Sequence, residues 1–282
     1  MTGLLLVDKP AGPTSFDVIR RLRPALGQKL GHAGTLDPFA TGLLLVLAGR
    51  ATRLATFLSG LDKSYRAVVQ FGAVSSTLDP EGEIEPTGAA ADAESVRVAA
   101  RGMTGTVLQQ VPLASAVRVG GERSYARMRR GETAPPPPRE VRIDAIDVEG
   151  FDPAAQRAVI TVRCSKGTYV RQVAADLGAA TGAGAYCCEL RRLGVGPFGV
   201  DEAGSPEQIA ASPGGPWFRS LRDALPHVPE RMLSAAERED VRHGRAVEGD
   251  ATGTVRLVYE GELVAVARGA DGGLRPVAVL AP

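Results

Sequence analysis

Gly31-His32-Ala33-Gly34-Thr35-Leu36-Asp37-Pro38-Phe39-Ala40-Thr41-Gly42 runs straight into the apolar Leu43-Leu44-Leu45-Val46-Leu47. Three glycines let this backbone turn tightly and come close to a ligand, and Pro38 restricts the chain immediately after the one carboxylate, Asp37. Residues 31–42 therefore read as a rigid loop, and 43–47, too short and too apolar for a surface element, as a buried strand. A single acid held on such a loop suits a nucleophile or general base better than a metal cage, which needs more ligands nearby. A structural aspartate capping a turn fits the same local pattern.

Working outward, residues 3–7 are wholly apolar and predict a second buried strand, followed by the turn-rich Lys9-Pro10-Ala11-Gly12-Pro13. Thr14 or Ser15 can cap a helix with Asp17 in its first turn, a stripe of Val18, Ile19 and Leu22, and an end at Pro24. Residues 64–71 alternate, with Tyr65, Ala67, Val69 and Phe71 on one face, the period of a half-buried strand. Residues 92–103 predict a surface helix, 141–148 and 158–164 strands, and 168–177 a helix closed by Gly178. Strands and helices do not alternate regularly, which favours α+β with a mixed, largely antiparallel sheet over a doubly wound fold. Residues 111–142, with Gly120-Gly121 and four prolines at 135–138, predict a protruding, adaptable arm. A proline- and glycine-rich stretch at 212–229 precedes strand signals at 255–259 and 263–266, which predict a small C-terminal β domain. The expected partition is 1–228 and 229–282.

With 282 residues, 44% of them apolar, the chain fills a proper core and is not disordered. Its 33 basic and 32 acidic side chains nearly cancel, so attraction to a polyanion must be local. Residues 1–60 hold seven basic and three acidic groups, a net +4, and 111–142 hold the same; residues 72–100 carry a net −5. Two basic regions that met would track phosphates behind a neutral average. The three cysteines, at 164, 187 and 188, include no C-x-x-C pair, and a reducing cytoplasm is the expected compartment. No apolar run approaches the ~20 residues of a membrane span, and no segment reads as a signal peptide.

The 31–42 loop, together with Gly3-Leu4-Leu5-Leu6-Val7-Asp8-Lys9-Pro10, Thr14-Ser15 and Lys63-Ser64-Tyr65, resembles the signature of the TruB family of pseudouridine synthases. The resemblance recurs, in the family's order, at Ser115-Ala116-Val117-Arg118, at Lys166-Gly167-Thr168-Tyr169-Val170-Arg171 and at Leu190-Arg191-Arg192-Leu193, covering roughly residues 1–200. It implies a catalytic domain of pseudouridine synthase type with an RNA-binding insertion at about 111–142, plus a short PUA-like tail. The implied reaction detaches the uracil of a uridine at position 55 in the transfer RNA T loop, rotates it and reattaches it through carbon. Nothing is oxidised and no group is donated, so neither cofactor nor metal is expected. The resemblance also implies no obligate protein partner, a monomer, and no membrane association.

By the same resemblance Asp37 is the essential catalytic group, and Arg171 is the cation that pairs with it, since burial alone would raise the acid's pKa. Tyr65 matches the tyrosine that stacks on the target base and is a candidate for proton removal at its carbon 5; Tyr169 and Leu190 match residues lining the pocket. His32 matches the histidine that engages the stack when the uridine is extruded. The arm resembles the family's thumb, with Ser115, Arg118, Arg123, Arg127 and Arg129 as phosphate and sugar contacts. Here it departs from the family pattern: Arg118 stands where Lys is commoner, and Tyr125–Gly131 is compressed. A non-catalytic RNA-binding protein would have no need of Asp37 opposite Arg171. A guide-RNA-dependent synthase is disfavoured by the thumb-like insertion, and a two-carboxylate glycosidase by the single acid in the motif-rich region.

Overall fold

The computed structural model describes residues 1–115, 117–132, 135–249, 252–270 and 272–280, with the backbone alone for Arg118, Val119, Arg123, Ala126, Arg129 and Ala270. They form two compact units. Met1–Asp37, Gly42–Gly60 and the chain from Gly196 onward make the first, and Pro38–Thr41 with Leu61–Val195 the second. The architecture is α+β, and the described strand pairs within each unit are antiparallel apart from Glu230–Met232 with Thr254–Tyr259 and the bridge of Val7 to Gly204.

In the first unit, strand Gly3–Lys9 lies antiparallel between Thr41–Ala48 and the short Phe218–Arg219, with Leu5 opposite both Val46 and Phe218. All of Gly3–Lys9 except Asp8 is buried, as is 42–48. Burial on both faces explains why these strands are continuous apolar runs rather than alternating ones. Helix Ser15–Leu26 is capped by Thr14, whose hydroxyl accepts from the Asp17 amide while the Asp17 carboxylate accepts from the Thr14 amide, and it buries Val18, Ile19 and Leu22. The predicted end at Pro24 is corrected: the helix runs to Leu26. Proline's fixed φ is helical, and its missing donor costs one bond in a last turn; the stop is Gly27, left-handed at φ +60°. The predicted loop is also shorter, because Leu30–Ala33 is a strand paired with Thr41–Ala48, leaving 34–40 as the connection.

Farther along this unit a five-stranded sheet runs in the order Glu230–Met232, Thr254–Tyr259, Glu262–Ala270, Gly273–Val279 and Val247–Glu248. Helix Ala235–Arg242 covers it, and Leu233, Val241, Leu257, Val264 and Leu274 are among the residues of its apolar core. The sequence also predicts a turn at Asp271-Gly272-Gly273, of which Asp271 lies outside the described residues.

The second unit is an antiparallel sheet ordered Gly105–Gln109, Arg139–Asp152, Arg157–Cys164, Lys63–Phe71 and Ala185–Val195. Lys63–Phe71 buries every second residue, as its alternation predicts. Helix Ala93–Gly102, capped by Asp92, buries Val96 and Ala100. Helix Val170–Thr181 corrects the expected stop at Gly178, because the left-handed terminator is Gly182 at φ +73°. Gly178 is glycine for another reason: a Cβ there would lie 2.1 Å from the amide nitrogen of Ala185. In the arm, Arg118–Val119 pairs with Glu122–Arg123 across Gly120-Gly121, both with positive φ, and helix Ser124–Arg129 follows. No helix among the described residues is long and apolar enough to cross a membrane.

Candidate active site

Asp37 stands half-buried near the middle of the 34–40 connection, between strands whose register places His32 opposite Val46 and Ala33 opposite Leu45. Its neighbour Leu36 is buried, and both polar groups of the Leu36 backbone meet one side chain: Ser15 Oγ accepts from the Leu36 amide at 2.9 Å and donates to the Leu36 carbonyl at 3.1 Å. Gly34 and Gly42, at φ +85° and +100°, provide the turns on either side. Lys9, which belongs to the same unit, is fully buried and its ammonium donates to the Pro10 carbonyl at 2.9 Å.

The other sequence-predicted residues belong to the second unit. Tyr65 is 7% exposed on strand Lys63–Phe71, flanked in register by Val162 and Arg192, and Leu190, also buried, pairs with Ala67 one strand over. Beside them Lys63 is buried and its ammonium donates to the Leu61 carbonyl. Burial, reinforced by the nearby Arg192 charge, brings the Lys63 pKa down to about 8, and burial pushes the Cys164 thiol up to about 11.

Arg171, in the first turn of helix Val170–Thr181, is fully enclosed. Its Nη1 donates to the Asp79 carboxylate at 2.8 Å and to the Thr77 carbonyl at 2.7 Å, and its Nη2 donates to the Ala114 carbonyl at 2.8 Å. The side chains of this ion pair are 2% and 4% exposed. Asp79 is the centre of a folded loop: its other carboxylate oxygen accepts from the Thr77 hydroxyl at 2.6 Å and the Glu81 amide at 3.0 Å, and its carbonyl accepts from the Ser75 hydroxyl at 2.6 Å. Leu78 in this loop takes φ +66°, a region a leucine enters only when its surroundings hold it there. Asp37, the partner expected for Arg171 from the sequence, belongs to the other unit.

Tyr169 precedes that helix and is clamped by the buried Gln109, whose amide accepts from the Tyr169 N–H at 2.8 Å and donates to its carbonyl at 3.0 Å. The Arg139 guanidinium lies over the ring, 4.6 Å from its centre.

At the base of the arm Ser115 is 5% exposed, and its hydroxyl has no hydrogen-bond partner among the described residues. Its carbonyl accepts from the Tyr125 amide at 3.0 Å, and Ser124 Oγ donates to the Leu113 carbonyl at 2.7 Å. Arg127 is engaged within the arm by Glu132 at 2.7 Å. The side chains of Arg118, Arg123 and Arg129 lie outside the described residues. Among the described residues no group of three or more His, Cys, Asp or Glu side chains is placed to hold a metal.

The ordered motifs that carry Asp37, Tyr65 and Arg171 agree with comparisons of the whole chain. The model of TruB family pseudouridylate synthase (N terminal domain) matches residues 22–170. The chain belongs to the TruB family. Relatives called tRNA pseudouridine synthase B from Arthrobacter sp. (strain FB24) and Thermobifida fusca (strain YX) are each 40% identical to it, over 100% and 99% of this chain and 97% and 98% of theirs. Among solved structures, a chain in a Cbf5-Nop10-Gar1 complex superposes with a TM-score of 0.77 at 23% identity, covering 99% of this chain and 85% of that one. That likeness concerns the fold.

Sequence reasoning missed three residues around the TruB motifs. Asp79 reads as one charge of an acidic stretch, although Thr77-Leu78-Asp79-Pro80 repeats Thr35-Leu36-Asp37-Pro38, the signal that could have singled it out. Gln109 gives no local sign, because its partner Tyr169 is 60 residues away. Ser15 reads as a helix cap, a task that Thr14 performs.

Proposed function

We propose that this TruB-family enzyme converts uridine to pseudouridine in the T loop of transfer RNA, at position 55, with Asp37 as its essential catalytic acid. The observation that carries the proposal is the setting of Asp37: one carboxylate at a fixed place, between a clasped Leu36 backbone and Pro38, in a chain that resembles tRNA pseudouridine synthase B relatives end to end. The chemistry needs little else. The bond from the ribose to the uracil nitrogen breaks, a bond from the same sugar carbon to carbon 5 forms, and the proton lost from carbon 5 is balanced by one gained at nitrogen. No electrons enter or leave, so a positioned acid with a suitable pKa suffices.

In this reading Asp37, Tyr65 and Arg171 are the catalytic set. Tyr65 offers an aromatic face for the base and a phenol within reach of proton transfer. His32 fills the gap left in the RNA stack by the extruded nucleotide, Tyr169 and Leu190 line the base pocket, and Ser115 and Arg118 hold the RNA stem. The hydroxyl of buried Ser115, without a hydrogen-bond partner among the described residues, supports a contact that RNA completes. The C-terminal strands would act as a short PUA-like module on the same RNA.

The deciding experiment incubates the protein alone with unmodified transfer RNA, maps pseudouridine by chemical labelling, and repeats the assay with Asp37→Asn. Product at the T-loop position with the native chain and none with the variant is expected. Product elsewhere, or from the variant, would overturn the assignment.

A further inference from the structure

Ser15 stands at the first helical position of Ser15–Leu26, where a serine hydroxyl ordinarily turns back on its own helix or faces water. It does neither. Thr14 already accepts from the Asp17 amide, so the helix start is satisfied without it. Ser15 is 1% exposed, and its oxygen is taken up by a residue 21 positions away, accepting from the Leu36 amide and donating to the Leu36 carbonyl.

We infer that Ser15 is a positioning residue for Asp37, acting through the Leu36 backbone. The carbonyl it holds belongs to the peptide plane that links Leu36 to Asp37, so fixing that oxygen fixes the Asp37 nitrogen as well. On the far side Pro38 confines Asp37 to extended backbone. The Leu36 side chain, 4% exposed, anchors the loop in the core. Asp37 thus projects from a segment pinned on both sides, and one hydroxyl provides both polar contacts on the Leu36 side. Alanine provides neither, and leaves a buried amide and carbonyl unsatisfied. Threonine retains both bonding functions. A carboxylate displaced by about an ångström loses rate without losing RNA, because binding is spread over many contacts and the chemistry depends on one. This inference rests on the proposed role of Asp37.

The test measures single-turnover pseudouridine formation at saturating transfer RNA, the RNA dissociation constant and the melting temperature for the native chain, Ser15→Ala, Ser15→Thr and Val96→Ala. Val96 is buried on helix Ala93–Gly102 and provides a destabilised control outside the catalytic loop and the RNA contacts. Ser15→Ala is expected to slow the reaction tenfold or more with RNA affinity within threefold of native. Ser15→Thr should recover the rate to within threefold, and Val96→Ala should keep it despite a lowered melting temperature. The inference is overturned by a Ser15→Ala rate within threefold of native, by a Ser15→Thr rate as low as that of Ser15→Ala, or by Val96→Ala slowing the reaction as much. Absence of product from the native chain would instead overturn the proposed function.

Discussion

A guanidinium and a carboxylate enclosed together at 2.8 Å cannot be removed one at a time without leaving a bare charge in the core. Arg171→Ala should therefore lose both turnover and about 3–5 kcal/mol of stability in urea unfolding, the usual cost of breaking a buried pair from one side. Asp79→Asn should also destabilise, and the double variant should cost less than the two single changes combined, because the second removal takes away an unpaired charge. A loss for Arg171→Ala below about 1 kcal/mol would place the pair in the class of solvated surface ion pairs, against its burial. Neighbouring residues show why some partners escape a sequence reading. Arg171 stands out by motif; Asp79 carries only a four-residue echo of the 35–38 loop, and an acidic side chain in a polar stretch is more often solvated than enclosed.

Helix Val170–Thr181 carries Arg171, and its glycine at 178 governs how closely it packs on strand Ala185–Val195. In an exposed helix, glycine to alanine gains about 1 kcal/mol from propensity. Gly178→Ala should do the opposite and lower stability by about 1–3 kcal/mol, because the added methyl would sit 2.1 Å from a backbone nitrogen that has no rotamer to give way. Thermal melts read the sign directly, and a stabilised Gly178→Ala would refute the close approach. The same glycine shows a limit of reading elements from sequence. A glycine near the end of an apolar periodic stretch looks like a terminator, and only the neighbouring strand distinguishes a packing glycine from a cap.

Stability of the whole molecule should carry the mark of two buried titrating groups. Lys63, ordinarily near 10.5, is held at about 8, so between those values the unfolded chain binds a proton that the folded chain does not, and stability climbs as pH rises from about 8. Cys164 opposes this: its thiol, ordinarily near 9.0, is pushed up to about 11, so over that window the folded chain keeps a proton the unfolded chain has released, and stability falls. Denaturant midpoints should thus rise from pH 8 to 9 and level off above. Lys63→Met should remove the rise and leave a decline above pH 9; an unchanged rise in that variant would assign it to another group.

The apolar runs at 3–7 and 43–47, the alternation at 64–71 and the glycine-proline punctuation around Asp37 determine by themselves that this chain builds an α+β fold presenting an acid on a stiff loop. Those signals act over a few residues, through backbone sterics and the burial of one face or two, and so they are complete in one dimension. What holds the side chains of the candidate site is of another kind. The bonds from Ser15 to Leu36, from Arg171 to Asp79 and from Gln109 to Tyr169 span 21, 92 and 60 residues. A hydrogen bond depends on distances of about 3 Å and on direction, and separations along the chain fix neither until the tertiary structure closes. Only then does a serine that looks like a cap become a clasp.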